Sequence, residues 1–193
     1  MDKIKKWILA TAVIVSGWSH AQEIKPAEVK DLMRKVADWQ IAHFQDYNGI
    51  QKPHHPLDWT NAALYVGMVK WAAMADSDSY YEWLKEIGTA HEWKLYDRVY
   101  HADDHTVGQM YADLYRKYKD EKMLAPTRER FDFILYHPAK SSLKWDTPFH
   151  QDRWNWCDAL FMSPPVWAKL YRITGEKKYL DFIDGRDDDE IQL

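Results

Sequence analysis

A single cysteine, Cys157, stands in the 193 residues, so no internal disulfide can staple the fold. The chain must hold itself together by core packing, and its length is enough for that. Basic charge is not in excess. The formal net charge is −4 and no basic stripe runs through the sequence, which argues against nucleic acid as a partner. The nine histidines show no ligand spacing such as His-Glu-x-x-His, and there is no cysteine pair, so a metal site is not expected. His101 and His105 are four apart, but the helix that would align them begins between them. Strand-like alternation is nearly absent. The one apolar run, Trp7–Gly17, is shorter than the roughly 20 residues a bilayer span needs.

That run has a different meaning. Lys3, Lys5 and Lys6 precede it, and Ser19-His20-Ala21 follows it before Gln22. A basic start, an apolar middle and a small-residue end form the pattern of a secretory signal peptide over residues 1–21. The expected location is periplasmic or secreted, with no membrane contact after cleavage. The remainder reads as one domain.

Aromatic residues are plentiful: 11 Trp and 12 Tyr. Each offers a flat face and a polar edge, which suits sites that hold sugar rings. An aromatic-rich core explains the same count, and the composition leaves both readings open.

The helical signal is strong throughout. Pro26 and Glu28 open a helix to about Phe44. A nearly apolar helix runs from about Thr60 to Ala75. Ser77-Asp78-Ser79 caps a third through Ile87, and Asp103 or Asp104 caps a fourth through Tyr118. A fifth covers about Glu121 to Tyr136. A sixth covers Trp156 to Ile173 with Pro164-Pro165 inside it, and a seventh covers Lys177 to Ile183. Three segments share one plan: Ala62–Ile87, Thr106–Ile134 and Pro165–Ile183. Each reads as an apolar helix, a tight polar turn and an amphipathic helix. Repeated hairpins of this kind are what a two-layer helical toroid demands, with inner helices buried and outer helices half wet.

Between the repeats lie two long aromatic loops, Trp93–Ala102 and His137–Trp154. Long ordered loops in a compact domain are usually functional. They would crowd one rim, faced by the starts of the inner helices: Trp59 and Asn61, Asp103 and Asp104, Trp156 and Asp158.

Asp158 sits in the apolar run Trp156-Cys157-Asp158-Ala159-Leu160-Phe161-Met162-Ser163-Pro164-Pro165. It reads either as a helix cap or as a carboxyl in a partly dry aromatic pocket, whose pKa would rise toward the range of a general acid. Asp103 and Asp104 read either as a helix cap or as a second carboxylate on the same rim, and paired carboxyls flanking a sugar are a usual device of glycoside hydrolysis. Cys157 has no placed activating base and reads as a small buried residue. Lys140, Lys144, His150 and Arg153 in the second loop are ordinary surface charge or a cationic set for a sugar carboxylate, with Arg153 favoured for its bidentate geometry.

The run from Trp156 to Pro165, together with Asp103-Asp104 before Gly108 and Trp59 with Asn61, resembles glycoside hydrolase family 105 and its relatives in family 88. The resemblance covers about Pro26 to Ile183. It implies an all-α (α/α)6 toroid, with no metal and no organic cofactor. The implied substrate is the Δ4,5-unsaturated uronic acid, galacturonyl or glucuronyl, that polysaccharide lyases leave at a chain end. The implied reaction is protonation of a vinyl ether and addition of water, so the carboxyl-separation rule of ordinary glycosidases does not apply. Asp158 would be the acid and then the base, and Asp103 or Asp104 the assisting carboxylate. Trp59, Asn61, His105, His150, Arg153, Trp154, Trp156 and Met162 would line the substrate site.

Twelve helices make the family's ring, and about seven are read here. The expectation is a toroid truncated to about half over residues 22–184, followed by an atypical acidic tail at 185–193. Pairing of two copies to close the ring stays open. Two rival readings remain: a non-catalytic carbohydrate-binding or scaffold module, and a lyase-like or epimerase-like toroid that would use His and Tyr instead.

Overall fold

Asp58 shows how the local sequence starts a buried helix. Its carboxylate accepts from the Thr60 amide at 3.1 Å, satisfying one of the donors that a helix start leaves open. The computed structural model describes residues 25–46, 53–140, 152, 154 and 156–184. The proposed signal segment, the acidic tail, Lys144, His150 and Arg153 lie outside those residues.

Among the described residues there are helices and no strands. They are α1 (Pro26–Ala42), α2 (Trp59–Met74), α3 (Ser79–Ala90), α4 (Ala102–His105), α5 (Val107–Tyr118), α6 (Ala125–Tyr136), α7 (Ala159–Met162), α8 (Pro164–Thr174) and α9 (Lys178–Asp184). A 3-10 turn at Glu121–Met123 precedes α6. Two helices divide, one that the sequence reads as continuous and one that it reads as interrupted at Pro164-Pro165. The fourth divides at Thr106 into α4 and α5, and the sixth divides at Ser163 into α7 and α8. The second break has a plain cause, because Pro164-Pro165 can occupy only a first turn. The cap of α4 is also not an aspartate. His101 holds that place, and its Nδ1 accepts from the Asp103 amide at 3.3 Å.

The chain divides into two units, residues 1–36 and 37–193. The first holds α1 as far as Val36, with Asp31 paired to Arg34 and Lys35, and exposes Val29, Leu32, Met33 and Val36. In the second, α2, α5 and α8 pack side by side as an inner row. Their buried faces carry Tyr65, Met68 and Trp71 from α2, Met110, Tyr111 and Leu114 from α5, and Val166, Trp167 and Leu170 from α8. The outer helices bury less: Leu84 and Ile87 from α3, Phe131 and Ile134 from α6, Tyr179 from α9. A hairpin plan is present in all three repeats, and the drier first arm is plainest in the second, where α5 buries seven of its 12 residues and α6 three of 12. One ion group ties the inner row together. Asp113 Oδ2 of α5 accepts from Lys70 Nζ of α2 at 2.8 Å and from Lys169 Nζ of α8 at 2.7 Å.

The loop from α3 to α4 is pinned rather than loose. Glu92 and Trp93 adopt φ of 53° and 59°, a conformation that costs a non-glycine residue energy. Trp93 repays it by burying its ring against Gly88, where a Cβ would lie 2.3 Å from the indole, and edge-on to Tyr111 at 5.3 Å. Tyr111 Oη donates to the Lys94 carbonyl at 3.2 Å, and Tyr96 stacks on His55 at 4.6 Å. This loop delivers the chain to α4.

Candidate active site

Adjacent positions on a helix point about 100° apart, so Asp103 and Asp104 cannot serve one place. Asp104 turns inward and is fully buried. Its carboxylate accepts three bonds from Arg98: the backbone N–H at 2.6 Å, Nε at 3.0 Å and Nη2 at 2.5 Å. It closes the loop onto α4 and does not line the cavity described next. Burial lowers the Arg98 pKa, but Asp104 outweighs it and holds the guanidinium firmly charged.

Asp103 turns the other way, into a cavity of about 220 Å³ lined by Trp59, His101, Ala102, Asp103, Trp154, Trp156, Asp158 and Ala159. Burial pushes its pKa above the ordinary carboxylate value. His101 and Arg98, each 3.6 Å from Oδ2, oppose that, while the like charges of Asp158 and Asp104 add to it. A carboxyl raised in this way holds its proton to higher pH.

Asp158 faces Asp103's cavity from α7. It stands at the N-cap position of that helix, yet its carboxylate makes no capping hydrogen bond. The simplest structural use of an aspartate at a helix start is therefore not exercised here. Trp154 and Trp156 flank it. Trp154 is held at φ 58°, strained for a tryptophan, with its indole N–H donating to the Tyr100 carbonyl at 2.8 Å. Tyr100 in turn lines a second depression of about 360 Å³ with Tyr136, His137, Pro138, Ala139, Lys140 and Asp152.

Of the residues the sequence singles out, Asp103, Asp158, Trp59, Trp154 and Trp156 meet in one cavity. Four others are placed elsewhere. Asn61 donates its amide to the carbonyls of His54 and His55 at 3.3 and 3.0 Å, tying the approach loop to α2. Asp104 is engaged by Arg98. His105 and Met162 are buried and do not line the cavity. The His105 Nε2 faces the Val99 carbonyl at 2.8 Å and must be the donor, so Nδ1 accepts the Ser163 hydroxyl at 2.7 Å. Burial drives its pKa down to about 3, and the ring is neutral.

His101 lines the cavity, and the sequence reading considered it only as a metal ligand. A signal was available. It stands two residues before Asp103, where a side-chain acceptor caps a helix. Among the described residues, no group of three or more His, Cys, Asp or Glu is placed to hold a metal ion. No described helix is long and apolar enough to cross a membrane.

Residues 32–187 match the family model described as Glycosyl Hydrolase Family 88. Two curated relatives each carry the name unsaturated 3S-rhamnoglycuronyl hydrolase. The one from Alteromonas sp. (strain LOR) is 31% identical over 170 residues, 79% of this chain and 41% of that protein. The one from Formosa agariphila is 30% identical over 164 residues, 80% of this chain and 41% of that protein. The chain thus spans well under half the length of either. Among solved structures, a polysaccharide lyase superposes with a TM-score of 0.64 at 27% identity, covering 80% of this chain and 43% of that one. A glycosyl hydrolase family 88 protein from Bacteroides vulgatus superposes at 0.58 with 23% identity, covering 79% and 44%. The fold is all-helical and of the helical-toroid kind.

Proposed function

The chain belongs to glycosyl hydrolase family 88, and from that premise we propose that it removes a Δ4,5-unsaturated uronic acid from the end of lyase-generated oligosaccharides, acting outside the cytoplasm after loss of residues 1–21. One observation carries the reading: Asp103 and Asp158 open into a single aromatic-walled cavity, and neither carboxylate is used as a helix cap. The cavity is smaller than the roughly 300–1,000 Å³ of common ligand pockets, which suits one sugar ring better than a chain. Trp59, Trp154 and Trp156 offer faces for that ring.

In this reading Asp158 protonates the vinyl-ether double bond at C4. It then takes a proton from the water that adds at C5. The product is a hemiketal, which opens and expels the rest of the chain. Asp103 is the assisting carboxyl.

The double bond absorbs in the ultraviolet and is lost in the reaction, so absorbance decay with lyase-generated oligosaccharides reads the activity directly. Decay is expected with the purified protein, and Asp158→Asn is expected to slow it by about 10²–10⁴-fold, the usual contribution of a positioned acid. Absence of decay from a protein shown to be folded would sink the hydrolase reading for this chain and leave a carbohydrate-binding module.

A further inference from the structure

Two helices of four residues each carry the carboxyls, α4 with Asp103 and α7 with Asp158. Helices so short have no stability of their own, because one turn does not recover the cost of nucleation. Something else must set the distance between them. The second half of α4, the start of α5 and the end of α7 are joined by buried polar bonds. Gln109 Nε2 of α5 donates to the carbonyls of Phe161 and Met162 in α7 at 2.7 and 3.3 Å. Thr106 Oγ1 lies 3.0 Å from Met162 Sδ. His105, two residues after Asp103, accepts from the hydroxyl of Ser163, five residues after Asp158. Ser163 Oγ also accepts the Trp167 indole N–H at 3.2 Å. His105, Thr106 and Ser163 are wholly buried and Gln109 nearly so.

We infer that Ser163, with His105 and Gln109, is a positioning residue that sets the spacing of the Asp103 and Asp158 carboxyls. The geometry is directional in the way such a role requires. Ser163 uses its one proton toward α4 and a lone pair toward α8, so it locks α7 between two neighbours. Apolar contact alone would leave α7 free to slide along its axis. The bonds from Gln109 to two successive carbonyls forbid that slide, because each carbonyl is at a defined height on the helix. The catalytic consequence rests on the hydrolase reading above; the spacing itself does not.

The test separates the two. Carbon-13 carboxyl NMR follows the titration of Asp103 in the full chain, alone and with Asp158→Asn. Removing the like charge is expected to lower the Asp103 pKa. In the Ser163→Ala background that response is expected to shrink, and Ser163→Thr, which keeps the hydroxyl, is expected to restore it. In parallel, Ser163→Ala is expected to cut kcat about 10–100-fold with KM changed less than twofold, as a misplacement of about 1 Å does. Gln109→Met removes two bonds at similar volume and serves the same comparison if Ser163→Ala does not fold. An undiminished response of Asp103 to Asp158→Asn in both backgrounds would overturn the positioning role, whatever the turnover. A diminished response with no turnover from the unmodified chain would uphold it and sink the hydrolase reading instead.

Discussion

Asp103 and Asp104 are neighbours with opposite work. Asp104 is buried under Arg98 and accepts three hydrogen bonds. Asp104→Ala removes all three, while the half-exposed guanidinium can still turn to water. A loss of about 1–3 kcal/mol is expected in a urea melt. Asp158 makes no capping bond, so Asp158→Asn is expected to leave the melt within about 0.5 kcal/mol. Asp103 has a sign of its own. Burial raises its folded pKa above the ordinary value of 3.8, so the native state binds its proton more tightly than the unfolded chain does. Its contribution is fully present below pH 3.8 and is lost as pH rises through the raised value. Asp103→Asn escapes that loss. The Tm difference between variant and parent is therefore expected to move in the variant's favour from pH 3 to pH 7, followed by calorimetry at both ends.

At the scale of elements, the loop after α3 sets where α4 starts, and its anchor is Trp93. Gly88 is the residue that makes room, since a Cβ there would come within 2.3 Å of the indole. Both partners are buried, so neither can move aside cheaply. Gly88→Ala is expected to cost about 1–3 kcal/mol as overpacking, read from denaturant midpoints at unchanged m. Gly175 has a different task. It ends α8 at φ 75°, a left-handed conformation at the C-cap that lets the chain turn directly into α9. The proline pair at the start of α8 separates it from α7, whose N-cap is Asp158.

At the scale of the molecule, three hairpins stand side by side, and Asp113 bonds cations from both flanking inner helices. Burial pushes the Asp113 pKa up, but Lys169 and Lys70 outweigh it, and the net direction is down. A depressed carboxylate stabilises above its unfolded pKa and loses that contribution as pH falls through the folded value. Lys169 is mostly buried, and Asp113→Asn would leave it without its counter-charge. A loss of about 3 kcal/mol is expected at pH 7. The gap between variant and parent is expected to start narrowing near pH 4, where the unfolded carboxylate takes up its proton, and to close only below the depressed folded value. Thermal melts at both pH values check this.

The helical hairpins were readable in the sequence because their causes are local. Apolar spacing, polar turns and prolines at first turns all act within a few residues, and the described helices follow them to within a residue or two at most ends. The family was readable from the run around Asp158 for the same reason, since a continuous motif needs no fold to be seen. So was the candidate aromatic set, Trp59, Trp154 and Trp156, because each stands beside the start of an inner helix or in a rim loop. Direction was not readable. Asp103 and Asp104 are equivalent as letters, and only Arg98, brought back by the pinned loop, separates them. Asn61 reads as a rim residue and His105 as a substrate-site residue by resemblance, yet each has a nearer partner, a loop carbonyl for one and Ser163 for the other. His101 reads in the sequence only as a possible metal ligand, and its place as the cap of α4 shows in the structure. Which side chain enters a cavity depends on what the other elements leave unoccupied, and that is settled only when hairpins distant in sequence pack together.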